Sequence, residues 1–209
     1  IFLEWEDMPA VMSSKRLMSR RFNIFPTLVY GIDCMDLVDD VESILKYAEW
    51  EEENNISNDQ KILFKYNKEL VNLIEDKVNE SLSEIQYEVP FKMTTCWFNR
   101  VRVNHSLREH YHTNSFWSSV FYFSKSTDDT SITFVKPTQQ INPRSNTNDI
   151  NLLMDGDVTF PSKYGSMLLF PSILRHAVQV NHTQGCRYSL AMNFMPSGEC
   201  GVLDSSYSY

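Results

Sequence analysis

Two stretches in the first half of the chain space their apolar residues three or four apart, as amphipathic helices do. Between Asp36 and Asn54 the apolar positions alternate with Asp and Glu at helical spacing. They are Leu37, Val41, Ile44, Leu45 and Ala48. A second stretch begins at the Asn58-Asp59 cap, keeps the period to about Ile85, and predicts a break near Asn67. We expect both helices to pack on a sheet as scaffold.

After Pro90 the pattern changes to short runs of β-branched and aromatic residues bounded by turn residues. Such runs are typical of antiparallel sandwiches and barrels. They cover residues 94–103, 116–123, 131–135, 165–170 and 187–194. An earlier run at 25–30 contains a proline and predicts an edge strand. Helices first and strands second predict an α+β domain whose helices back one face of a sheet.

The length of the chain favours one folded unit with short extensions. Its 209 residues suffice for a single well-buried core. We divide the chain into an N-terminal arm at 1–23, a domain at 24–196 and a C-terminal tail at 197–209. The polar stretch Pro137–Asp157, rich in Asn, Ser and Thr, predicts a long loop. Because long loops inside compact domains are frequently functional, we expect this one to be a lid.

Charge and cysteine usage exclude several kinds of partner. A net charge of −8 and a pI near 5.1 argue against general electrostatic binding of nucleic acid. The four scattered cysteines form no CxxC pair, so we expect reduced thiols, no disulfides and a cytoplasmic protein. We expect no membrane span, since no apolar run is long enough, and no secretion signal, since the N-terminal residues lack a basic-then-apolar pattern. A homodimer, the commonest assembly of soluble proteins, is compatible with the sequence.

Three of the five histidines are spaced as ligands of one metal ion. In Arg108-Glu-His-Tyr-His112 a strand would point His110 and His112 to the same face, because strand side chains alternate with a period of two. His176 follows the run that ends at Phe170 and would come from another strand. Three protein ligands leave open positions on a metal for substrate and dioxygen. An HxH pair alone is weak evidence for such a site.

Arg187 strengthens the interpretation of a binding site. It begins a run that contains Leu190, Met192 and Phe194, which places its strand in the core. Most arginines form surface ion pairs, but one that faces a barrel interior requires an anion. A guanidinium is suited to bidentate capture of a carboxylate, and Ser189 on the same face adds a hydrogen bond.

The ligand set has one alternative register, and the HxH pair has one alternative family. His112 could pair with Asn114, which we rank second because a neutral amide binds divalent iron poorly compared with imidazole. A cupin signature would place a glutamate a few residues after the pair, where this chain reads Thr-Asn-Ser-Phe-Trp. That sequence argues against a standard cupin. His105 and His182 lie in polar turns and are assigned no role.

Taken in order, these motifs resemble the 2-oxoglutarate- and Fe(II)-dependent oxygenases, in particular a bacterial and phage group of that superfamily. The resemblance covers about residues 24–196. It rests on the runs at 25–30, 97–99, 110–115, 118–122, 161–172, 176–178 and 187–193. It implies a double-stranded β-helix core, the cupin-like jelly roll, with the N-terminal helices packed on the major sheet.

For the metal, the resemblance implies that His110, His112 and His176 ligate Fe(II). The superfamily usually has an aspartate or glutamate where His112 stands, giving two histidines and one carboxylate. A three-histidine set carries less negative charge, so another metal stays open.

For the co-substrate, the resemblance implies that Arg187 and Ser189 hold the distal carboxylate of 2-oxoglutarate. Asn99 and Tyr122 would line the same pocket. The implied reaction consumes 2-oxoglutarate and dioxygen and hydroxylates a substrate that the sequence does not identify. Two other functions stay open: a catalytically silent metal-binding jelly roll, and a cupin-like metalloenzyme that uses no 2-oxoglutarate. In the last case Arg187→Ala would leave the activity intact.

Overall fold

Three helices come before most of the strands in the computed structural model, which describes residues 27–51, 55–125, 131–136 and 157–208. They are α1 (Val38–Leu45), α2 (Ile62–Tyr66) and α3 (Lys68–Ser81). The predicted break at Asn67 is confirmed, and the Asn67 side chain caps α3 by accepting from the Leu70 N–H at 3.0 Å. The first helix is shorter than predicted. The chain turns after Leu45, and the Glu49 carbonyl accepts from the Asn58 N–H at 2.9 Å instead of continuing the helix.

Eleven strands are present in the described part of the chain. They are β1 (Tyr30–Asp33), β2 (Phe91–Val101), β3 (Leu107–His110), β4 (Trp117–Tyr122), β5 (Ser131–Phe134), β6 (Val158–Pro161), β7 (Ser166–Pro171), β8 (His176–Val178), β9 (Arg187–Pro196), β10 (Glu199–Cys200) and β11 (Tyr207–Ser208). A five-stranded sheet has the order β1-β7-β4-β9-β2, and a four-stranded sheet has the order β3-β8-β5-β6. All pairs within them are antiparallel. The remaining two strands form a hairpin within 197–209.

Neighbouring side chains along each strand of the five-stranded sheet point to opposite faces, and each face packs in a core of its own. On β4, Trp117 and Phe121 point to a cluster shared with the helices. Val120 and Tyr122 point to a second cluster, which also contains Ile132 from the four-stranded sheet. Because neighbouring strand residues face opposite sides, one sheet thus packs on helices and on a second sheet. The expected α+β jelly roll with helices on its major sheet is confirmed.

Most predicted strands are present with ends shifted by a few residues, and His176 lies on a separate strand, β8, as expected. Three strands were missed: β6, β10 and β11 have only four, two and two residues, too few for a periodic pattern. The edge strand was expected at 25–30 and instead spans Tyr30–Asp33, where it pairs with β7. Residues 25 and 26 lie outside the described residues, as does the arm at 1–23.

The expected lid at Pro137–Asp157 also lies outside the described residues, except for its last member. Asp157 accepts from the Lys136 N–H at 2.9 Å, so the two ends of this stretch lie side by side. The cysteines Cys34, Cys96, Cys186 and Cys200 are free thiols. Among the described residues the longest helix has 14 residues, and none is both long and apolar enough to cross a bilayer.

Helix α3 is attached to β2 by two polar side chains. The Asn79 amide donates to the Phe91 carbonyl at 2.9 Å and accepts from the Phe91 N–H at 2.7 Å, as a neighbouring strand would. The Glu75 carboxylate accepts from the Met93 N–H at 2.9 Å and from Lys92 Nζ at 2.7 Å. These bonds satisfy backbone N–H and carbonyl groups at the start of β2, the strand that carries Asn99 to the centre of the barrel.

We expect Asn79→Ala to lower the free energy of unfolding by about 2 kcal/mol, because it leaves both backbone groups of buried Phe91 without their partner. Chemical denaturation followed by circular dichroism measures this. Asn72→Ala, on an exposed position of the same helix, is the control and should change stability by no more than about 0.5 kcal/mol. Equal stability of the two variants would contradict the role given to Asn79.

Candidate metal centre

The structure brings His110, His112 and His176 together. Their ligand atoms all lie within 4.8 Å of one another. The ring centroids are 4.3 Å apart for His110 and His176, and 5.4 and 5.3 Å apart for the two pairs that include His112. Three imidazoles at this separation could hold one metal ion, and they could do so without moving far.

Backbone carbonyls fix the orientation of two of these rings. His110 Nδ1 lies 2.7 Å from the Arg108 carbonyl, and His176 Nδ1 lies 2.9 Å from the Leu174 carbonyl. A carbonyl only accepts, so each Nδ1 carries the proton and donates it. The lone pair of each ring is then on Nε2, which is the arrangement of metal-bound histidines with an outer hydrogen bond.

The strand expected to carry both His110 and His112 ends at His110, so the prediction for His112 is wrong in its secondary structure. His110 faces His176 across the β3–β8 pair. His112 lies in the loop that follows, outside the four-stranded sheet, and its N–H donates to the Ser172 carbonyl at 2.9 Å. The bond to Ser172 brings His112 to the other two rings. The alternative Asn114 has φ 52°, the left-handed conformation that asparagine tolerates in turns, and it does not line the cavity that the three histidines share.

Burial keeps two of the histidines neutral. It lowers the pKa of His112 to about 4, and the nearby His110 adds to the effect. Burial also lowers the pKa of His176 to about 4, although the hydrogen bond that its ring donates to the Leu174 carbonyl acts to raise that pKa. A neutral imidazole has a free lone pair, so these rings are ready to bind a cation at neutral pH.

Arg187 is buried in the same interior, as its flanking residues predicted. It is 1% exposed, and its Nη1 donates to Ser162 Oγ at 3.2 Å. Its guanidinium carbon lies 5.7 Å from the centre of the Tyr122 ring. Burial lowers the pKa of Arg187 and raises the pKa of Tyr122 to about 12, so the phenol stays protonated and can donate.

Asn99 and Ser189 face each other across the β2–β9 pair, next to Arg187. Trp97 Nε1 lies 3.0 Å from the Asn99 side-chain oxygen. An indole N–H only donates, so this contact identifies the oxygen of the amide. The NH₂ group of Asn99 is therefore on the far side of the amide from Trp97.

One narrow cavity joins the histidines to the arginine. Its walls include all seven predicted site residues: His110, His112, His176, Arg187, Ser189, Asn99 and Tyr122. Its volume is only about 30 Å³, close to the share of one water molecule in the liquid. A five-carbon dicarboxylate needs several times that space, so its entry requires wall side chains to move.

Sequence reasoning missed Ser162 and the ion pair between Glu109 and Arg175. Ser162 follows the undetected strand β6, so no pattern pointed to it. Glu109 and Arg175 each precede a histidine of the cluster, and Arg175 Nε donates to a Glu109 carboxylate oxygen. Their positions beside His110 and His176 were a usable signal, since residues flanking an antiparallel pair meet on its other face.

A family model described as "Putative 2OG-Fe(II) oxygenase" matches residues 95–193. That range contains every residue of the cavity wall named above. A comparison with curated protein sequences gives no significant match.

Solved structures of other proteins share the fold. An oxidoreductase of the 2OG-Fe(II) oxygenase family from Burkholderia pseudomallei superimposes with a TM-score of 0.56 at 14% identity, over 75% of this chain and 76% of that one. HygX from Streptomyces hygroscopicus, solved with nickel, 2-oxoglutarate and hygromycin B bound, gives 0.55 at 15% identity over 81% and 83%. The carbocyclase SnoK from nogalamycin biosynthesis gives 0.58 at 10% identity over 86% and 85%. At sequence identities this low, the structural similarity establishes the fold alone.

We expect His176→Ala and His112→Ala to abolish the binding of one equivalent of Co(II), because each removes an imidazole from the cluster. Isothermal titration calorimetry measures this. The loss should exceed the 10–100-fold that is typical when only an outer partner of a ligand is removed. His105→Ala, at an exposed histidine bonded to the Val103 carbonyl, is the control and should bind Co(II) as the native chain does. Unchanged affinity in His176→Ala would contradict the metal centre.

Proposed function

We propose that the protein is a 2-oxoglutarate- and Fe(II)-dependent oxygenase that hydroxylates its substrate, and the match of residues 95–193 to a model of the 2OG-Fe(II) oxygenases supports this. The observation that carries the proposal is the convergence of three histidines and a buried arginine on one cavity. The family requires both a metal and a dicarboxylate, and the cavity offers a group for each.

His110, His112 and His176 would hold the metal. The bonds that fix the tautomers of His110 and His176 support this role. The lowered pKa values of His112 and His176 support it too, because no proton has to leave these two rings at neutral pH. Bound iron and 2-oxoglutarate supply the activation of dioxygen, coupled to decarboxylation of the co-substrate. Three neutral ligands leave the full double charge of a divalent ion, so an anionic co-substrate would be attracted more strongly than to a site with a carboxylate ligand.

The distal carboxylate of 2-oxoglutarate would bind Arg187. The guanidinium can donate two parallel hydrogen bonds to a carboxylate. Around it the protonated Tyr122 phenol and the Ser162 and Ser189 hydroxyls offer further donors, and all three residues are buried. A dicarboxylate here would join Arg187 to the metal and be held at both ends.

Asn99 would support the co-substrate through its NH₂ group. The Trp97 indole holds the amide oxygen, so the donors are turned away from Trp97. Apolar side chains complete the walls, among them Val120, Phe170 and Val178. They exclude water from the reacting centre, which strengthens the electrostatic contacts within it.

The small cavity favours a second candidate, a jelly roll that binds metal without turning over 2-oxoglutarate. A volume of about 30 Å³ does not admit the co-substrate unless the walls move. The two candidates agree on metal binding and differ in consumption of the dicarboxylate. The four free cysteines suit a reducing compartment, which supports a cytoplasmic setting for either one.

Formation of succinate tests the proposal. The protein is incubated with Fe(II), 2-oxoglutarate, ascorbate and air, and succinate is measured by NMR against the His176→Ala variant. We expect slow succinate formation even without the primary substrate, and none in the variant. A protein that binds metal but makes no more succinate than His176→Ala would support the silent module instead.

We expect Arg187→Ala to raise the dissociation constant of the metal-loaded protein for 2-oxoglutarate by at least about 30-fold. The reason is that truncating one partner of a buried charge pair costs about 2 kcal/mol or more. Co(II) binding should persist, which reports that the variant is folded. Tyr122→Phe, which removes one hydroxyl, should have a smaller effect in the same direction.

Arg100→Ala is the matched control for this measurement. Arg100 lies on β2 beside Trp50, with its guanidinium carbon 4.6 Å from the ring centre, on the outside of the barrel. Its removal should leave the affinity for 2-oxoglutarate unchanged. If Arg187→Ala and Arg100→Ala bind 2-oxoglutarate equally well, Arg187 is not the carboxylate site and a metalloenzyme that uses no 2-oxoacid is favoured.

A further inference from the structure

Ser172 lies between two ligands of the candidate metal centre. It follows the last residue of β7 and precedes His176, the first residue of β8, by four positions. Its side chain is buried, with 1% of the residue exposed. A buried hydroxyl needs hydrogen-bond partners, so its contacts are informative.

The backbone of Ser172 closes the loop that carries His112. Its carbonyl accepts from the His112 N–H at 2.9 Å, and its N–H donates to the Phe116 carbonyl at 3.0 Å. One residue thus holds both ends of the segment 112–116. The same short connection also contains Leu174, whose carbonyl accepts from His176 Nδ1 at 2.9 Å.

The side chain of Ser172 attaches this connection to the five-stranded sheet. Its hydroxyl lies 2.9 Å from Ser115 Oγ and 2.8 Å from Ser118 Oγ on β4, and it can donate its one proton to Ser118. Ser118 donates in turn to the Asn193 side-chain oxygen on β9 at 2.8 Å. The Asn193 NH₂ group donates to Thr95 Oγ1 on β2 at 3.1 Å. The hydroxyl of Ser172 therefore begins a chain of side-chain hydrogen bonds that crosses three strands.

From this geometry we propose that Ser172 is a positioning residue, whose hydroxyl holds His112 and His176 at the separation that a metal ion requires. The inference rests on the proposed function, in which these histidines are ligands. Ser172 is not among the residues that line the cavity itself. It acts through the two segments that it joins, the loop 112–116 and the connection from β7 to β8. The hydrogen bonds from its hydroxyl to the five-stranded sheet prevent those segments from shifting over the sheet. Polar networks of this kind, once satisfied, rigidify the structure around them.

Ser119 provides a matched control on the neighbouring position of β4. It is 2% exposed, against 1% for Ser118. It stands opposite Leu169 and Met192, which belong to the core shared with the helices. Within the part of the chain that the structure describes, its hydroxyl has no hydrogen-bond partner. Residue 119 also contributes to the cavity wall, but its alternation with Val120 directs the side chain to the other face of the sheet. Ser119→Ala therefore removes an equally buried hydroxyl that takes no part in the chain from Ser172.

The test compares Co(II) binding and the visible ligand-field spectrum of bound Co(II) in the native chain, Ser172→Ala, Ser118→Ala and Ser119→Ala. Ser172→Ala should weaken Co(II) binding about 10-fold or more, the range for outer partners of metal ligands, and should change the spectrum. Ser118→Ala should shift both readouts in the same direction by less, because Ser172 keeps its contact with Ser115. Ser119→Ala should match the native chain in both.

The thermal unfolding of the metal-free proteins separates positioning from stability. If Ser172→Ala unfolds at a lower temperature but binds Co(II) with the affinity and spectrum of Ser119→Ala, the hydroxyl is only structural and the inference is overturned. Should Ser172→Ala fail to fold, Ser118→Ala decides by the same comparison. If the native chain itself binds no Co(II), the proposed function has failed and the inference falls with it.

Discussion

The pairing of β3 with β8 is the interaction on which the rest of the site depends. It sets His110 opposite His176, so that two imidazoles from positions 66 residues apart by subtraction share one face of the four-stranded sheet. Antiparallel partners have their Cβ atoms about 5 Å apart, so side chains on the same face can converge on one ion. The third imidazole, His112, comes from the loop after β3, and Arg187 comes from the start of β9. The Glu109–Arg175 contact joins the two strands again at the neighbouring positions.

The site is a neutral-to-cationic interior in an acidic protein. The chain carries a net charge of −8, yet the cavity wall contains an arginine, three histidines and a protonated tyrosine, and no carboxylate among its described residues. Water is a poor competitor in so narrow a space, and the low dielectric strengthens each contact with an anion. Charge on the surface keeps the molecule acidic as a whole, while the groups of the interior suit the proposed pair of a metal ion and an anionic co-substrate.

Much of this arrangement could be predicted from the sequence, because it depends on the alternation of side chains along strands and on the spacing of apolar residues along helices. The alternation in 187–194 indicated that Arg187 and Ser189 face inward, and both are buried. The break near Asn67 was also predicted, and the structure shows that the Asn67 side chain caps the helix that follows it. What the sequence did not predict depends on contacts between distant segments. His112 is held by Ser172, 60 positions away by subtraction, and no local pattern reports that bond. Ser162 follows a four-residue strand that pairs only with β5. The early end of α1 likewise follows from a bond between Glu49 and Asn58 that helical periodicity does not contain.

The central claim is that the histidine cluster and Arg187 bind a metal and 2-oxoglutarate together. Anaerobic titration of the protein with Fe(II) and 2-oxoglutarate tests it most directly, since chelation of iron by the 2-oxoacid produces a weak visible charge-transfer band. The account predicts a band that appears only when both are present and that saturates at one equivalent of each. Iron binding without the band would contradict the co-substrate site, and the absence of iron binding would contradict the metal centre itself.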